Sequence, residues 1–302
     1  MDAPPARWSA HPYLLLTLTV LFWSGNMVVG RGIRADVPPV ALAFARWTIC
    51  LLLTLPFALP HLRQQMPLLR QHWRPLVVLG LLGVGGYNTF AYLALQHTTA
   101  TNAALLNSFI PVATIALAWA LLGKRLTRGE GAGVAISLVG VLTLISHGQP
   151  SALLDLRLNV GDLWMLLAVA TWGLYTVGLS WRPAGLHPMV ALAAFTVVGL
   201  LVLAPAWAWE MAGEGRQIVA GPRAWLAMLY AGIFPGFLGY VFYNAGVAAV
   251  GPNRGSLFIH LMPVFSTLLA AVFLGERPDW YHFLGIALVF AGIGLTTRSR
   301  AS

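Results

Sequence analysis

The chain has 302 residues, of which 58% are hydrophobic and only 9% are charged. A soluble globular domain carries about 25% charged residues, so there is too little charge here to cover a surface in contact with water. The net charge of +9 comes from 18 lysines and arginines spread thinly along the chain. This pattern argues against a nucleic-acid partner and is typical of the positive loops of a protein in a lipid bilayer.

Ten apolar segments are candidates to cross the bilayer. A helix needs about 20 residues to cross about 30 Å of hydrocarbon, and a backbone in lipid must satisfy its own hydrogen bonds, so each segment is predicted to be a helix. The predicted spans are about 12–31, 40–59, 75–95, 103–122, 131–146, 161–181, 189–208, 224–247, 256–274 and 282–297. We expect an all-α integral membrane protein with breaks such as 61–75 between the spans and no soluble domain.

Positive charges in the loops predict the orientation. With the amino terminus in the cytoplasm, eleven lysines and arginines lie on the cytoplasmic side and six on the outer side, which favours both termini inside. Residues 1–12 carry Asp2 and Arg7, and no small-residue cleavage site follows them, so the first span is read as retained rather than as a signal peptide. The expected location is the inner membrane of a bacterium.

The two halves of the chain resemble each other at a constant offset. Residues 105–125 read LLNSFIPVATIALAWALLGKR, and residues 257–277, 152 positions later, read LFIHLMPVFSTLLAAVFLGER. Each half, 12–146 and 161–297, contains five spans, so the second half is inverted in the membrane relative to the first. Inverted repeats of this kind are typical of secondary transporters, whose substrate site lies at the repeat interface.

Short motifs are spread over nearly the whole chain, from about 12 to 298. They are Trp23-Ser24-Gly25-Asn26, Ala45-Arg46-Trp47, Gly161-Asp162 followed by Trp172, Pro263-Val264, and Leu274-Gly275-Glu276-Arg277. Together they resemble the ten-helix branch of the drug/metabolite transporter superfamily, with two EamA domains. The chain is most similar to the YddG-type amino-acid exporters, and this resemblance implies an amino acid as the small-molecule substrate.

The first span of each half carries an aromatic residue and a hydrogen-bonding residue three positions apart. Trp23 and Asn26 lie on one face of span one, and Trp172 and Tyr175 repeat that spacing in span six, 149 positions later. We interpret the two pairs as opposed walls of a substrate cavity at the pseudo-two-fold axis. Ordinary helix packing is the alternative.

Asparagine and tyrosine occupy equivalent positions in the third span of each half. Asparagine is costly in hydrocarbon unless it finds a partner or water, so we predict that these residues line a wet cavity. Uncharged donors between aromatic walls suit a zwitterion with an apolar side chain, whereas hydrogen bonding between helices is the structural alternative. The residues of this set are Tyr87, Asn88, Tyr92, Tyr240, Tyr243 and Asn244.

Two prolines are predicted to kink the fourth span of each half. Asn107 and Ser108 precede Pro111, and His260 precedes Pro263. A proline inside a helix frees a backbone carbonyl about one turn earlier, and such a carbonyl can bind substrate if it faces water. His260 could carry a proton near neutral pH, but a neutral, hydrogen-bonded packing role is favoured.

Arg46 is the only cation well inside a predicted span. It lies about two turns from the outer end of span two, so its long side chain is expected to reach that surface; pairing with a substrate carboxylate is the alternative. The predicted spans contain no acidic residue in their middle, which argues against proton-coupled export of cationic drugs.

These features predict a secondary transporter that exports amino acids or related metabolites by alternating access. No Gly-Lys-Ser/Thr phosphate loop or zinc-protease motif is present, so the sequence predicts no cofactor, no metal site and no enzyme activity. The alternatives are another solute class, such as a quaternary amine or nucleotide sugar, a channel, or an intramembrane enzyme built on Ser108 and His260. Nothing in the sequence determines the number of subunits.

Overall fold

The computed structural model describes residues 11–33, 36–98, 100–153, 159–213, 218–219, 221–274 and 279–298. The regular secondary structure of these residues is helical, which confirms the predicted all-α class. Its ten helices are α1 (Pro12–Gly32), α2 (Pro39–Gln71), α3 (Trp73–Gly80, Leu81–Gly86 and Tyr87–His97), α4 (Ala100–Asn107 and Ile110–Leu122), α5 (Arg128–Ile145), α6 (Val160–Gly178), α7 (Pro188–Ala212), α8 (Pro222–Ala231, Gly232–Leu238 and Gly239–Val250), α9 (Pro252–Leu257, Phe258–His260 and Leu261–Leu274) and α10 (Trp280–Arg298).

Seven helices of the described part of the chain are long and apolar enough to cross a membrane. They are α2, α5, α7, α10 and the stretches Ala103–Leu122, Val160–Trp181 and Pro222–Val250. Large apolar side chains also lie on the outside of the protein, with Leu201 71% exposed and Val272 75% exposed. Exposed apolar surface of this extent is expected where lipid, rather than water, is the solvent.

Helix α2 is longer than the sequence predicts. It has 33 residues, or about 50 Å at about 1.5 Å per residue, so the predicted break at 61–75 is wrong and only His72 separates α2 from α3. Leucine, arginine, glutamine and methionine favour helix in this stretch. A helix that continues beyond the hydrocarbon no longer has to be apolar, which is why a search for apolar runs ends it too early.

Glu210 joins the end of α7 to the start of α2. Its carboxylate accepts the backbone N–H groups of Val40 at 3.2 Å and Ala41 at 2.8 Å, and the residue is 5% exposed. These amides belong to the first turn of α2, where no helical acceptor is available and a negative charge is favoured. Helix α7 continues to Ala212, beyond the predicted span end at about 208, and this extension carries the carboxylate.

The helices form two compact units, and each unit draws on both sequence repeats. The first unit comprises residues 1–89 and 178–249. Within it α2 packs along α7, the middle segment of α3 packs on α7, and the middle segment of α8 packs on α2. Because α2 and α7 are the second helices of their repeats, and α3 and α8 the third, this packing repeats itself from one half to the other.

The second unit comprises residues 90–177 and 250–302 and is built around the α5–α10 pair. Gly133 and Gly140 in α5 correspond to Gly285 and Gly292 in α10 at an offset of 152. A Cβ atom at Gly133 would lie 2.6 Å from the carbonyl oxygen of Gly292, and one at Gly140 would lie 2.7 Å from that of Gly285. Gly133 thus meets the equivalent of Gly140, and Gly140 meets the equivalent of Gly133. A two-fold axis between antiparallel repeats requires this exchange.

Candidate functional site

The middle segments of α3 and α8 are π-helical and occupy the same place in the two repeats. They span Leu81–Gly86 and Gly232–Leu238, which differ by an offset of about 152. π-Helical segments are rare and often mark functional sites, because the wider turn leaves some carbonyl groups without their usual helical partner. Both segments contain glycines, but their apolar sequence predicts an ordinary α-helix and not π-helical geometry.

In α8 the carbonyl oxygen of Pro235 accepts two side-chain donors. The indole Nε1 of Trp23 donates to it at 3.1 Å, and Nη2 of Arg46 donates to it at 3.1 Å. Glycine makes room for the indole, because a Cβ at Gly239 would lie 2.9 Å from Trp23 Nε1. A Cβ at Gly236 would lie 3.4 Å from Arg46 Cγ, which is an ordinary contact. Gly239 therefore allows the side chain of Trp23 in α1 to approach α8 closely.

In α3 the carbonyl oxygen of Gly83 accepts a hydrogen bond from the hydroxyl of Tyr240 at 2.5 Å. Gly83 and Pro235 are 152 positions apart, so these two carbonyls, which accept side-chain donors from other helices, are equivalent in the two repeats. Both π-helical segments therefore present a backbone acceptor to another helix at the same point of the fold.

Four buried rings from α1, α2 and α8 surround these contacts, and we call them the aromatic cluster. The ring of Trp23 lies 5.2 Å from that of Tyr243 and 6.1 Å from that of Tyr240. The ring of Trp47 meets Tyr240 edge to face at 4.7 Å. Trp23, Tyr240 and Tyr243 belong to the predicted set and come together here, whereas Trp47 was missed.

Arg46 lies beside the aromatic cluster and does not reach the surface. It is 5% exposed, and its Cζ atom lies 5.1 Å from the centroid of the Trp47 ring. The prediction that its side chain extends to the outer surface is therefore wrong: the π-helical carbonyl of Pro235 holds it inside. The ion pair between described residues joins Arg254 to Glu130, so Arg46 has no acidic partner among them.

The other predicted residues of the first unit lie on α1, α3 and α8. Asn88 and Asn244 are buried, whereas Asn26 and Tyr87 are partly exposed. The amide Nδ2 of Asn88 has no acceptor within the described residues. The side chain of Tyr92 lies outside the described residues, so its place in the predicted set stays a prediction.

In the second unit the two predicted residues on α6, Trp172 and Tyr175, are buried side by side. The rings of Trp172 and Tyr175 lie 5.2 Å apart, and the two residues are 3% and 0% exposed. On α4 the amide Nδ2 of Asn107 points to the sulfur of Met262 in α9 at 3.8 Å. These residues are described within their own unit, and their predicted role in a cavity stays a prediction.

His260 bridges three helices of the second unit. Its Nε2 lies 2.9 Å from the carbonyl oxygen of Ser108, and its Nδ1 lies 2.6 Å from Oγ of Ser137. A carbonyl oxygen only accepts, so Nε2 donates to it, and in the neutral imidazole Nδ1 then accepts from the Ser137 hydroxyl. The neutral ring, 0% exposed, is thus fully hydrogen-bonded and ties α9 to α4 and α5.

The same contacts remove the basis for a serine–histidine enzyme site. The hydroxyl of Ser108 donates to the carbonyl of Leu105 at 2.6 Å and not to the imidazole of His260. Helix α4 is interrupted at residues 108 and 109, just before Pro111, and α9 passes through a 3₁₀ turn at Phe258–His260 before Pro263. His260 therefore satisfies a carbonyl at the break in α4.

Ten helices in two inverted repeats, with polar side chains buried inside apolar helices that are locally broken, define a multi-pass membrane transporter. The chain belongs to the EamA-like transporter family, whose model matches residues 11–146 and 159–298. The LGER phrase that carries part of this resemblance continues at 275–277, outside the described residues.

Several named relatives cover nearly all of the chain. An uncharacterized transporter of Archaeoglobus fulgidus is 30% identical over 296 residues, 97% of this chain and 99% of that protein. A probable terminal-alkyne amino-acid exporter of Streptantibioticus cattleyicolor is 27% identical over 288 residues, 94% of this chain and 92% of that protein. One solved structure shares the fold with a TM-score of 0.78 at 24% identity, covering 95% of both chains.

Proposed function

We propose that the protein exports amino acids or closely related small metabolites across the inner membrane of a bacterium. Both chain ends would lie in the cytoplasm, and the helices would expose the substrate site to each side in turn. The amino-acid class is supported by the resemblance to amino-acid exporters and by the similarity to the probable terminal-alkyne amino-acid exporter of Streptantibioticus cattleyicolor.

The observation that carries the proposal is the aromatic cluster beside the π-helical carbonyls of the first unit. Trp23, Trp47, Tyr240 and Tyr243 offer apolar walls, and neutral hydroxyl, indole and carbonyl groups lie between them. Ligand sites are typically apolar with a few fixed polar groups. A zwitterion with an apolar side chain suits this composition better than a polyanion does.

Transport by the purified protein in liposomes tests the proposal. We expect saturable movement of radiolabelled neutral amino acids with an apolar side chain. Replacing Trp23 by phenylalanine keeps a ring but removes the donor to the Pro235 carbonyl, so the rate should fall about tenfold, which corresponds to about 1.4 kcal/mol.

The same exchange at Trp209 is the matched control, because this tryptophan is 85% exposed at the end of α7. Trp209→Phe should leave the rate unchanged. Liposomes that move a quaternary amine or a nucleotide sugar but no amino acid would contradict the proposed substrate. Continuous conductance in a planar bilayer would instead indicate a channel.

A further inference from the structure

Arg46 is a buried cation with unused hydrogen-bonding capacity. A guanidinium has five N–H donors, and among the described residues its one hydrogen bond is from Nη2 to the Pro235 carbonyl. Its Nε atom is buried and has no acceptor there. A charge removed from water is costly unless an opposite charge compensates it, and in membrane spans such a residue is a functional-site hypothesis by default.

We infer that Arg46 binds the carboxylate of the transported substrate, an inference that rests on the proposed function. A carboxylate matches the planar fork of a guanidinium with two parallel hydrogen bonds. The face of Trp47, 5.1 Å from Arg46 Cζ, holds the guanidinium in place. The Gly236 backbone packs against its aliphatic stem.

The π-helical carbonyl gives the site a second partner for a zwitterion. In the structure the Pro235 oxygen accepts Arg46 and Trp23. When the substrate carboxylate accepts the hydrogen bond that Arg46 now donates to this oxygen, the oxygen can accept one from the ammonium group of the same amino acid. The rings of the aromatic cluster then surround the side chain of the substrate, so each part of an α-amino acid has a matching group.

The position of Arg46 also limits the substrate to one carboxylate. Its counterpart in the second repeat, at an offset of 149, is Phe195, which is 1% exposed. Within the part of the chain that the structure describes, the site therefore lacks a second cation at the point equivalent to Arg46. This favours monocarboxylates over dicarboxylates and nucleotide sugars.

Ligand-induced thermal stabilisation of the detergent-solubilised protein tests the inference, because a ligand of the folded state raises the unfolding temperature. The probes are L-phenylalanine, its primary amide, which lacks the carboxylate charge, and 3-phenylpropionate, which lacks the amino group. The wild type should bind L-phenylalanine at least about tenfold more tightly than the amide, the factor that corresponds to about 1.4 kcal/mol.

Arg46→Gln should abolish the preference for the acid over the amide. Arg63→Gln, on an exposed arginine of the same helix, should leave it unchanged. If Arg46→Gln does not fold, Arg46→Lys replaces it; this variant keeps the charge without the planar fork and should bind the acid less tightly than the wild type.

The outcomes separate the inference from the proposed function. A wild type that binds the acid and the amide equally well, or a folded Arg46→Gln variant that still prefers the acid, overturns the role of Arg46 alone. Stabilisation of the wild type by 3-phenylpropionate but not by L-phenylalanine contradicts the proposed function, and loss of that stabilisation in Arg46→Gln supports carboxylate binding by Arg46.

Discussion

In the α5–α10 pair four glycines bring the backbones of two helices together, whereas in α3 and α8 the glycines accompany π-helical segments and mostly meet side chains. The first arrangement is symmetric: Gly133 opposes Gly292, and Gly140 opposes Gly285. The second begins from the same symmetry and departs from it, because the Pro235 carbonyl accepts a hydrogen bond from an arginine and the equivalent Gly83 carbonyl accepts one from a tyrosine. Symmetric contact thus serves packing, and the departure from symmetry marks the candidate site.

The largest loss of folding stability is expected from adding a bulky side chain between α5 and α10. Gly140→Val places a branched side chain where a Cβ would already lie 2.7 Å from the carbonyl of Gly285, and overpacking of this kind costs about 3 kcal/mol. Thermal unfolding in detergent should show the loss. Gly294→Val is the matched control on α10, since nothing lies within 4 Å of a Cβ there; equal destabilisation by both variants would refute close packing at this pair.

A smaller loss of stability is expected from removing the hydrogen bonds with which His260 joins three helices of the second unit. His260→Phe keeps a ring of similar size but leaves the Ser108 carbonyl and the Ser137 hydroxyl without this partner. Buried polar groups left unpaired cost about 1–3 kcal/mol. The unfolding temperature should therefore fall, and Ser137→Ala, which removes only one of the two bonds, should lower it less. A His260→Phe variant as stable as the wild type would show that the bridge contributes little.

The smallest effect on stability is expected from protonation of His187, just before the start of α7 in the first unit. Burial, and to a lesser degree the neighbouring His61, lowers the pKa of His187 below its ordinary value of 6.5. Its neutral Nδ1 accepts the backbone N–H of Met189 at 3.3 Å, and its ring stacks on that of His61 at 4.1 Å. Protonation is thus disfavoured in the folded state.

The sign follows from proton binding by the two states. Below about pH 6.5 the unfolded chain binds this proton more readily than the folded chain, so stability falls as the pH falls and stays level above that value. Unfolding temperatures measured between pH 5 and 8 should show this slope. His187→Asn keeps a capping side chain and should reduce the slope; an unchanged slope would assign it to another group.

Much of the fold could be predicted because lipid imposes simple requirements on the sequence. Apolar runs located all ten helices, and the 152-residue offset anticipated the equivalence of the glycines in α5 and α10. The prediction failed at helix ends that leave the hydrocarbon. The tail of α2 beyond residue 59 is helical without being uniformly apolar, and Glu210 extends α7 because it caps a helix 169 residues earlier in the chain.

The candidate site was only partly accessible from the sequence. Trp23, Tyr240 and Tyr243 were found because polar aromatic residues are conspicuous in apolar spans. Arg46 was placed at the surface because its partner, the Pro235 carbonyl, is 189 positions away and is exposed only by π-helical geometry. The signal that could have revealed it was the proline among the glycines of α8, at the position equivalent to Gly83.

The internal repeat accounts for two backbone acceptors at equivalent points, Gly83 and Pro235. Because the two repeats differ in sequence, each acceptor has its own neighbours: one accepts from a cation and the other from a tyrosine hydroxyl. Two identical copies of the five-helix unit would carry the cation at both points. Repeats of different sequence within one chain thus allow a single positive charge at only one of them.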